Sequence, residues 1–410
     1  MTEDSRIASM LVGMSILGCT PGFVPPEHRI EMLASLEAGI DQLFDNSLGM
    51  QSGDISHNPP SWETQAVLLA TLRYMKKRFK QGGPSDALSQ RAISLDQVRI
   101  LQPLAGKASI ASVDGYDRPV LCEWINYDLH TMDLGPASMF ARVGAIVHNF
   151  SMEPPPADFN VLHCRGYFHD LAEARFGMLF DYPLSAQPAN IPPVALRVMM
   201  KQQPRPSLEC LFRLAQSLVK SLHCFHRANW LHKNISSHNV LFFSDTQEVA
   251  AGNISHDEHG SSINVSGYPT PYLVGFNHSR PSDPTAFTRG PLGLDKSYMH
   301  PEYAKLPEPR FRRGYDYYSV GLLLLEIGLW KPISQSGLFE ADIESFVSSV
   351  LQAVWRDEAV PLLGPLMGAI YKRSVLLCLN DHFTGAGMSD YVAMERFGKE
   401  VVGELNRCCA

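Results

Sequence analysis

The feature that most constrains this fold is residues 232–241 (HKNISSHNVL), where a polar loop runs into an apolar strand. An amphipathic pattern over residues 208–228 leads directly into this loop and predicts a helix with one buried face. After the loop the chain becomes apolar, which is typical of a short buried strand. The pattern therefore predicts a helix, a polar loop and a strand in that order, and the loop carries most of the functional prediction.

The composition is that of a globular protein with room for two lobes or domains. The chain has 410 residues, of which 45% are hydrophobic and 19% are charged. Its formal net charge of -7 does not favour binding to nucleic acid, and we expect none. The eight cysteines form no C-x-x-C pair, which is typical of buried thiols in a reducing compartment, so we expect a cytoplasmic protein.

Residues 1–88 are predicted to form a helical amino-terminal region. An amphipathic helix is predicted over residues 28–47 and a second helix over residues 64–79. The breaker-rich stretch 81–86 (QGGPSD) suits a linker, which places a domain boundary near residue 88. The apolar segment 7–18 is too short to span a bilayer and follows an acidic leader, so we expect it to pack rather than to insert.

Beyond the linker the hydrophobic period shortens to that of strands. Residues 94–104 and 118–127 are predicted as antiparallel strands, and a D-G turn is predicted at residues 114–117. A helix is predicted over residues 137–150. Two further short apolar runs follow at residues 159–168 and 176–182.

The order of these elements predicts an α+β fold. A small antiparallel β lobe with one helix is expected over residues 89–181, and a large helical lobe over residues 182–410. Residues 244–270 are rich in Ser, Gly, Asn and Asp and are predicted to form an exposed loop.

Four landmarks occur in a characteristic order. Residues 232–239 have the sequence HKNISSHN, residues 273–277 LVGFN, residues 300–302 HPE and residues 316–321 DYYSVG. Their order and spacing resemble the catalytic loop, the D-F-G and A-P-E motifs and the D-x-W-S-x-G helix of eukaryotic protein kinases. The resemblance implies a bilobal kinase-like fold over residues 89–410. The positions that match the structural residues of that family are His232, Phe276, Glu302 and Asp316.

At the positions that match the family's catalytic residues, this chain has different side chains. Asn234 stands in place of the aspartate base, and Gly275 in place of a metal-binding aspartate. The phosphate-pairing lysine falls on Glu123, or on Ile125 if the register slips by two. The helix at residues 137–150 has no glutamate for that lysine. A general base alone contributes about 10² to 10⁴ in rate, so the resemblance implies a pseudokinase with no catalytic site intact.

The same resemblance indicates where a nucleotide would bind. Residues 106–113 (GKASIASV) match a glycine-rich loop in which alanine replaces two of three glycines, and Phe180 matches a gatekeeper that narrows the pocket. Asn239 is either a metal ligand or a turn cap. We expect at most ATP, without or with weakly held Mg²⁺. The nucleotide-binding candidates are Gly106, Ala108, Ala111, Val113, Leu121, Phe180, Asp181, Asn239 and Leu241.

A narrower resemblance concerns kinase-like domains of filamentous-fungal proteins related to heterokaryon incompatibility. In that group one strand has the sequence V-L-V-E-W, similar to residues 120–124, and the long helix has D-x-Y-S-L-G-x-x-L-L-E-I-G-L-W-K-P, similar to residues 316–332. The resemblance implies a signalling or scaffolding module with protein partners.

Three alternatives stay open at this point. The chain could be an atypical active kinase in which Lys107 and Lys233 replace the missing groups. It could instead be a membrane-acting effector, with residues 1–88 contacting the membrane and restrained by the kinase-like domain. A zinc site is the third alternative. Its candidate ligands are His223, Cys224, His226, His232 and His238.

Overall fold

The structure is a computed structural model, and all of the residues that it describes lie between 91 and 409. They belong to the second of two units, residues 1–80 and 81–410, into which the chain divides. The predictions for residues 1–88 and for the loop at 244–269 lie outside the described residues. The described ranges are 91–104, 108–126, 135–151, 157–170, 172–184, 186, 191–243, 270–282, 296–305, 310–333, 352–380, 382–385 and 388–409.

The first part of the described chain forms an antiparallel sheet with the strand order β1-β2-β3-β5-β4. The D-G turn predicted at residues 114–117 joins β2 to β3. Gly115 there has a φ of 84°, which glycine adopts without steric strain. The sequence pattern predicts the other strands but not β2, whose residues are mostly Ala and Ser. The strands are β1 (Val98–Pro103), β2 (Ala108–Val113), β3 (Val120–Asn126), β4 (Cys164–Asp170) and β5 (Arg175–Asp181).

The two faces of β2 and β3 have different environments because successive side chains on a strand point to opposite sides. On one face Trp124 packs edge-on against Phe168, with ring centroids 5.5 Å apart, inside an apolar cluster. On the other face Ala108 and Glu123 are partners across the two strands and line a cavity. The cluster comprises Ala111, Val113, Val120, Cys122, Trp124, Phe168 and Leu179.

Helix α1 (Gly135–Phe150) follows β3 in the chain and packs on β4 and β5. It begins two residues before the helix predicted over 137–150 and ends at the predicted residue. Its buried side chains include Val143, Ile146, Val147 and Phe150. This helix therefore covers one side of the sheet, and its last residue, Phe150, contacts Phe225 and Phe276.

The second part of the described chain is mainly helical. Helices α2 (Leu196–Gln202) and α3 (Leu208–Arg227) come first, and Ser207 caps α3 by accepting a hydrogen bond from the Cys210 amide at 3.4 Å. The amphipathic face predicted for residues 208–228 is buried as expected. Short strands, one before α2 and the others after α3, form two small antiparallel sheets. They are β6 (Val194–Ala195), β7 (Trp230–Leu231), β8 (Val240–Phe242), β9 (Tyr272–Leu273) and β10 (Arg280–Pro281).

Helix α5 (Arg313–Leu329), which follows α4 (Pro301–Lys305), is the centre of this part. Every residue of α5 from Arg313 to Gly328 is buried, as expected for a helix surrounded by protein on all sides. Helix α6 (Leu363–Leu379) packs along it, and α7 (Asp390–Phe397) and α8 (Gly403–Leu405) complete the helical layer. The class predicted from the sequence, α+β with antiparallel sheets, is confirmed.

One helical stretch in the described part of the chain, Gln352–Leu379, is long and apolar enough to cross a membrane by length and composition alone, with a mean hydropathy of 1.4. It is not one regular α-helix, because Trp355–Ala359 is π-helical and Gly368 has non-helical dihedral angles. Its carboxy-terminal half, α6, packs on α5 through buried side chains such as Met367 and Val375. One face of α6 is therefore buried against α5, while Leu366 on the same helix remains 39% exposed.

Candidate functional site

The polar loop at residues 232–239 is held at its first residues by a buried carboxylate. Asp316, in the first turn of α5, accepts hydrogen bonds from the backbone amides of His232 at 3.0 Å and Lys233 at 2.8 Å. A third partner, Nε2 of His226, lies 3.0 Å from the same carboxylate. The side chains of Asp316 and His226 are fully buried. The bracing of the loop by the helix aspartate, which the resemblance implies, is present in the structure.

An aromatic stack centred on Phe276 joins this loop to the sheet and to α1. The ring of His232 lies 5.1 Å from that of Phe276, and the ring of Phe225 is stacked on it at 5.7 Å. Phe150 at the end of α1 contacts it at 4.5 Å and Phe180 of β5 at 6.0 Å. Four separate elements therefore meet at one buried side chain, and the predicted structural positions His232 and Phe276 are in contact.

Glu123 stands at the position that matches the phosphate-pairing lysine of the kinase resemblance. Its two carboxylate oxygens accept hydrogen bonds from the backbone amides of Gly275 and Phe276, each at 2.8 Å. Burial raises the pKa of this carboxyl to about 7, although both amides favour its ionised form. Glu123 and Ile125 are the two residues that could match the phosphate-pairing lysine. Of these two, Glu123 lines the cavity.

Arg142 of α1 contacts the same segment from another side. Its guanidinium donates hydrogen bonds to the carbonyl oxygens of Asn277 and Ser279, the second at 3.3 Å. Burial lowers the pKa of Arg142 to about 10. The segment Gly275–Ser279 is therefore clamped by an acid on its N–H groups and by a cation on its carbonyl groups. Sequence reasoning missed Arg142, and the available signal was the only arginine in an otherwise apolar helix.

Asparagine side chains connect the loop to the clamped segment. The amide nitrogen of Asn234 donates to Oδ1 of Asn277 at 3.0 Å, and that of Asn239 donates to the carbonyl oxygen of Asn234 at 2.8 Å. Gly275 has a φ of 90°, and a Cβ atom at that position would lie 2.6 Å from the side chain of Asn239. An amide cannot take up a proton as a carboxylate can, so these asparagine side chains supply hydrogen bonds and cannot themselves act as a general base.

These elements line a cavity of about 520 Å³, a size that suits a small organic molecule. Lys233, Asn234 and Gly275 contribute to its wall together with Glu123. Three of the nucleotide-binding candidates, Ala108, Asn239 and Leu241, also line it.

The other nucleotide-binding candidates are placed elsewhere. Ala111 and Val113 belong to the apolar cluster on the far face of β2. Phe180 contacts Phe276, and Leu121 is fully buried in β3. The carboxylate of Asp181 forms an ion pair with Arg165 at 2.6 Å and a hydrogen bond with Nδ1 of His163 at 2.8 Å. Gly106 lies outside the described residues.

Lys233, considered as a substitute for a missing catalytic group, has its ammonium 5.2 Å from the centre of the Phe311 ring. Burial, with Arg280 and Arg142 nearby, holds the pKa of Lys233 well below its usual range. Glu302, the fourth predicted structural position, hydrogen-bonds to the side chain of Tyr315. The other substitute considered, Lys107, is not among the described residues.

The histidines considered for a zinc site serve other contacts. The ring of His232 contacts that of Phe276 and His226 faces Asp316, while His238 lines the cavity. Within the described ranges, the structure has no group of three or more His, Cys, Asp or Glu side chains arranged to hold a metal ion. Asn239 donates its amide to a backbone carbonyl, which is the capping contact considered for it.

No family model matches this chain, and no curated protein matches it significantly.

The raised pKa of Glu123 predicts a pH dependence that the variant Glu123→Gln should remove. Between pH 4.5 and about 7 the folded state keeps a proton that the unfolded chain releases. The stability contribution of Glu123 therefore falls as pH rises through that window, by about 3 kcal/mol in total. Urea unfolding across this range should show the variant gaining stability over the wild type as pH rises. Parallel profiles for the two proteins would contradict it.

Proposed function

We propose that residues 89–410 form a catalytically impaired, bilobal kinase-like module, that is, a pseudokinase that acts in signalling or scaffolding. Two observations together support it. The structural positions make the contacts that the family resemblance implies, and the catalytic positions carry different side chains. Asp316 braces the loop at residues 232–239, and the ring of His232 contacts that of Phe276, as the family resemblance implies. Asn234 and Gly275 stand where a base and a metal ligand are needed.

The single observation that carries this proposal is the environment of Glu123. In an active kinase this position supplies a cation to the nucleotide phosphates. Here it supplies a carboxylate, which is bound to the amides of Gly275 and Phe276. A carboxylate facing the phosphate position repels a polyphosphate, and the repulsion is strong in a buried site where water screens charge poorly. A nucleotide bound here would therefore have no cation from this position beside its phosphates, where phosphoryl transfer needs positive charge.

We propose that such a module acts by changing its conformation or by presenting a binding surface to a partner protein. The clamped segment Gly275–Ser279 joins β3 and α1 to the polar loop, so a partner that moves α1 would also move this segment. We place the module in the cytoplasm with protein partners. The resemblance to fungal incompatibility domains favours a role in self-recognition or defence, by analogy.

Two measurements on the purified full-length protein test the proposal. With millimolar ATP and either Mg²⁺ or Mn²⁺, we expect no phosphate transfer to itself or to generic substrates. We also expect no rise in Tm with ATP and metal, because a ligand that binds the folded state must stabilise it. Metal-dependent transfer that is abolished in the variants Asn239→Ala or Lys233→Met would contradict the proposal and favour an atypical active kinase.

A further inference from the structure

The carboxylate of Glu123 indicates the charge of the ligand that the cavity accepts. Glu123 is 2% exposed and is the one acidic residue among the described residues that line the cavity. Its oxygens accept two backbone amides but form no ion pair with any described residue. Buried carboxylates are normally paired with a cation or kept protonated. Among the described residues, this side chain therefore has no positive partner on the side that faces the cavity.

The two amides compensate for burial only in part. Burial raises the pKa of Glu123 to about 7, so near neutral pH the side chain is divided between its ionised and protonated forms. A cation bound in the cavity would favour the ionised form, and a charge-assisted hydrogen bond to it would be stronger than one between neutral groups. A ligand anion would have the opposite effect.

The other charged groups near the cavity do not reverse this preference. Burial lowers the pKa of Lys233, which disfavours its positively charged form, and its side-chain nitrogen lies over the ring of Phe311. Arg142 is directed at the carbonyl oxygens of Asn277 and Ser279. The thiols of Cys122 and Cys164 have raised pKa values because of burial and stay neutral. The remaining titratable side chains of the wall are His238, Tyr298, His300, Tyr303 and Tyr315.

The rest of the wall suits an apolar body attached to the charged group. Leu104 and Ala108 line the cavity from the side of the sheet, and Leu241 and Val274 line it from the side of the loop. Aromatic side chains complete the wall in the helical part, with Phe311 packed edge-on against Tyr315 at 5.4 Å. Apolar walls with a few convergent polar groups are typical of small-molecule sites.

We propose that this cavity binds an organic amine, with its ammonium group against the Glu123 carboxylate and its apolar body along the wall formed by Leu104, Ala108 and Leu241. The site goes beyond the proposed function, because it depends on the cavity and its carboxylate and not on the absence of catalysis. Anionic nucleotides are the ligands that it disfavours most.

The test uses three probes that share one indole body and differ in charge, namely tryptamine, tryptophol and indole-3-propionate. Isothermal titration of the full-length protein near pH 7 should show tryptamine binding at least about tenfold more tightly than tryptophol, as expected for one charge-assisted hydrogen bond. Indole-3-propionate should bind most weakly. Because binding favours ionised Glu123, tryptamine should also release protons, which makes its apparent enthalpy differ between phosphate and Tris buffers.

The variant Glu123→Gln should lose the preference for tryptamine, while Glu173→Gln, which removes an exposed carboxylate in the β4–β5 turn, should keep it. The comparison of probes on the unmodified protein does not depend on the folding of any variant. Equal affinities, or no binding of any probe, would overturn the proposal. Tryptamine binding by a protein that also transfers phosphate would refute the pseudokinase and leave the amine site standing.

Discussion

Replacing Asp316 by alanine is expected to lower the free energy of unfolding by about 3 to 5 kcal/mol. The carboxylate is fully buried and accepts hydrogen bonds from the amides of His232 and Lys233, with His226 as a third partner. Its removal leaves three buried polar groups without the partner that satisfies them, and each such group costs about 1 to 3 kcal/mol. Urea unfolding followed by far-UV circular dichroism measures the change.

Two further variants show whether the effect comes from this network. Asp316→Asn keeps one acceptor oxygen in nearly the same volume and should cost less than the alanine variant. Asp357→Ala removes an exposed carboxylate next to Arg356, and its unfolding curve should overlay that of the wild type. If Asp316→Ala and Asp357→Ala behaved alike, the bracing role of Asp316 would be wrong.

The second large effect is expected for Gly275→Ala, which should destabilise the fold by about 3 to 4 kcal/mol. Two causes add. The backbone at Gly275 has a φ of 90°, which any side chain disfavours, and a Cβ atom would lie 2.6 to 2.9 Å from the side-chain atoms of Asn239. Gly275→Asp, which would introduce a metal-binding carboxylate, should be worse than Gly275→Ala for the same reason.

Two other glycines separate the two causes. Gly115 has a φ of 84° with nothing within 4 Å of an added Cβ, so Gly115→Ala measures the cost of the backbone conformation alone. Gly385 also has open space around it and lacks the positive φ, so Gly385→Ala should change the unfolding free energy little. The steric contribution at Gly275 is the excess over Gly115. A cost at Gly275 no larger than that at Gly115 would show that the contact with Asn239 does not restrict this position.

Local patterns were enough to predict most of the elements. The helical period over residues 208–228 and the apolar run over 137–150 predict α3 and α1 within two residues, because each pattern depends on neighbours in the chain. The D-G turn before β3 is predicted for the same reason. Strand β2 was missed because the sequence of Ala108–Val113 is short in large apolar residues, and its position in the sheet depends on pairing with β1 and β3.

Some positions of the site were predicted, such as Ala108, Asn239 and Leu241, but the hydrogen bonds of Glu123 and Arg142 were not. Glu123 was found by its place in a strand, yet the amides that it binds are 152 and 153 residues away in the chain. The carbonyl oxygens that Arg142 contacts are similarly distant, at 135 and 137 residues. Which strand residues face the cavity also depends on the register, and an irregularity in β1 between Ile100 and Gln102 shifts it. One sequence gives no access to such long-range pairings.

The two hydrogen bonds of Glu123 also bear on the order in which substitutions could accumulate at this site. Lysine at this position would place an ammonium group, which can only donate, against two buried amides that can only donate. A single change from glutamate to lysine would therefore lower stability before any benefit from the new charge could appear. Under the proposed function, a return to catalysis would need compensating changes in the Gly275–Ser279 segment beforehand, so the present arrangement acts as an evolutionary ratchet.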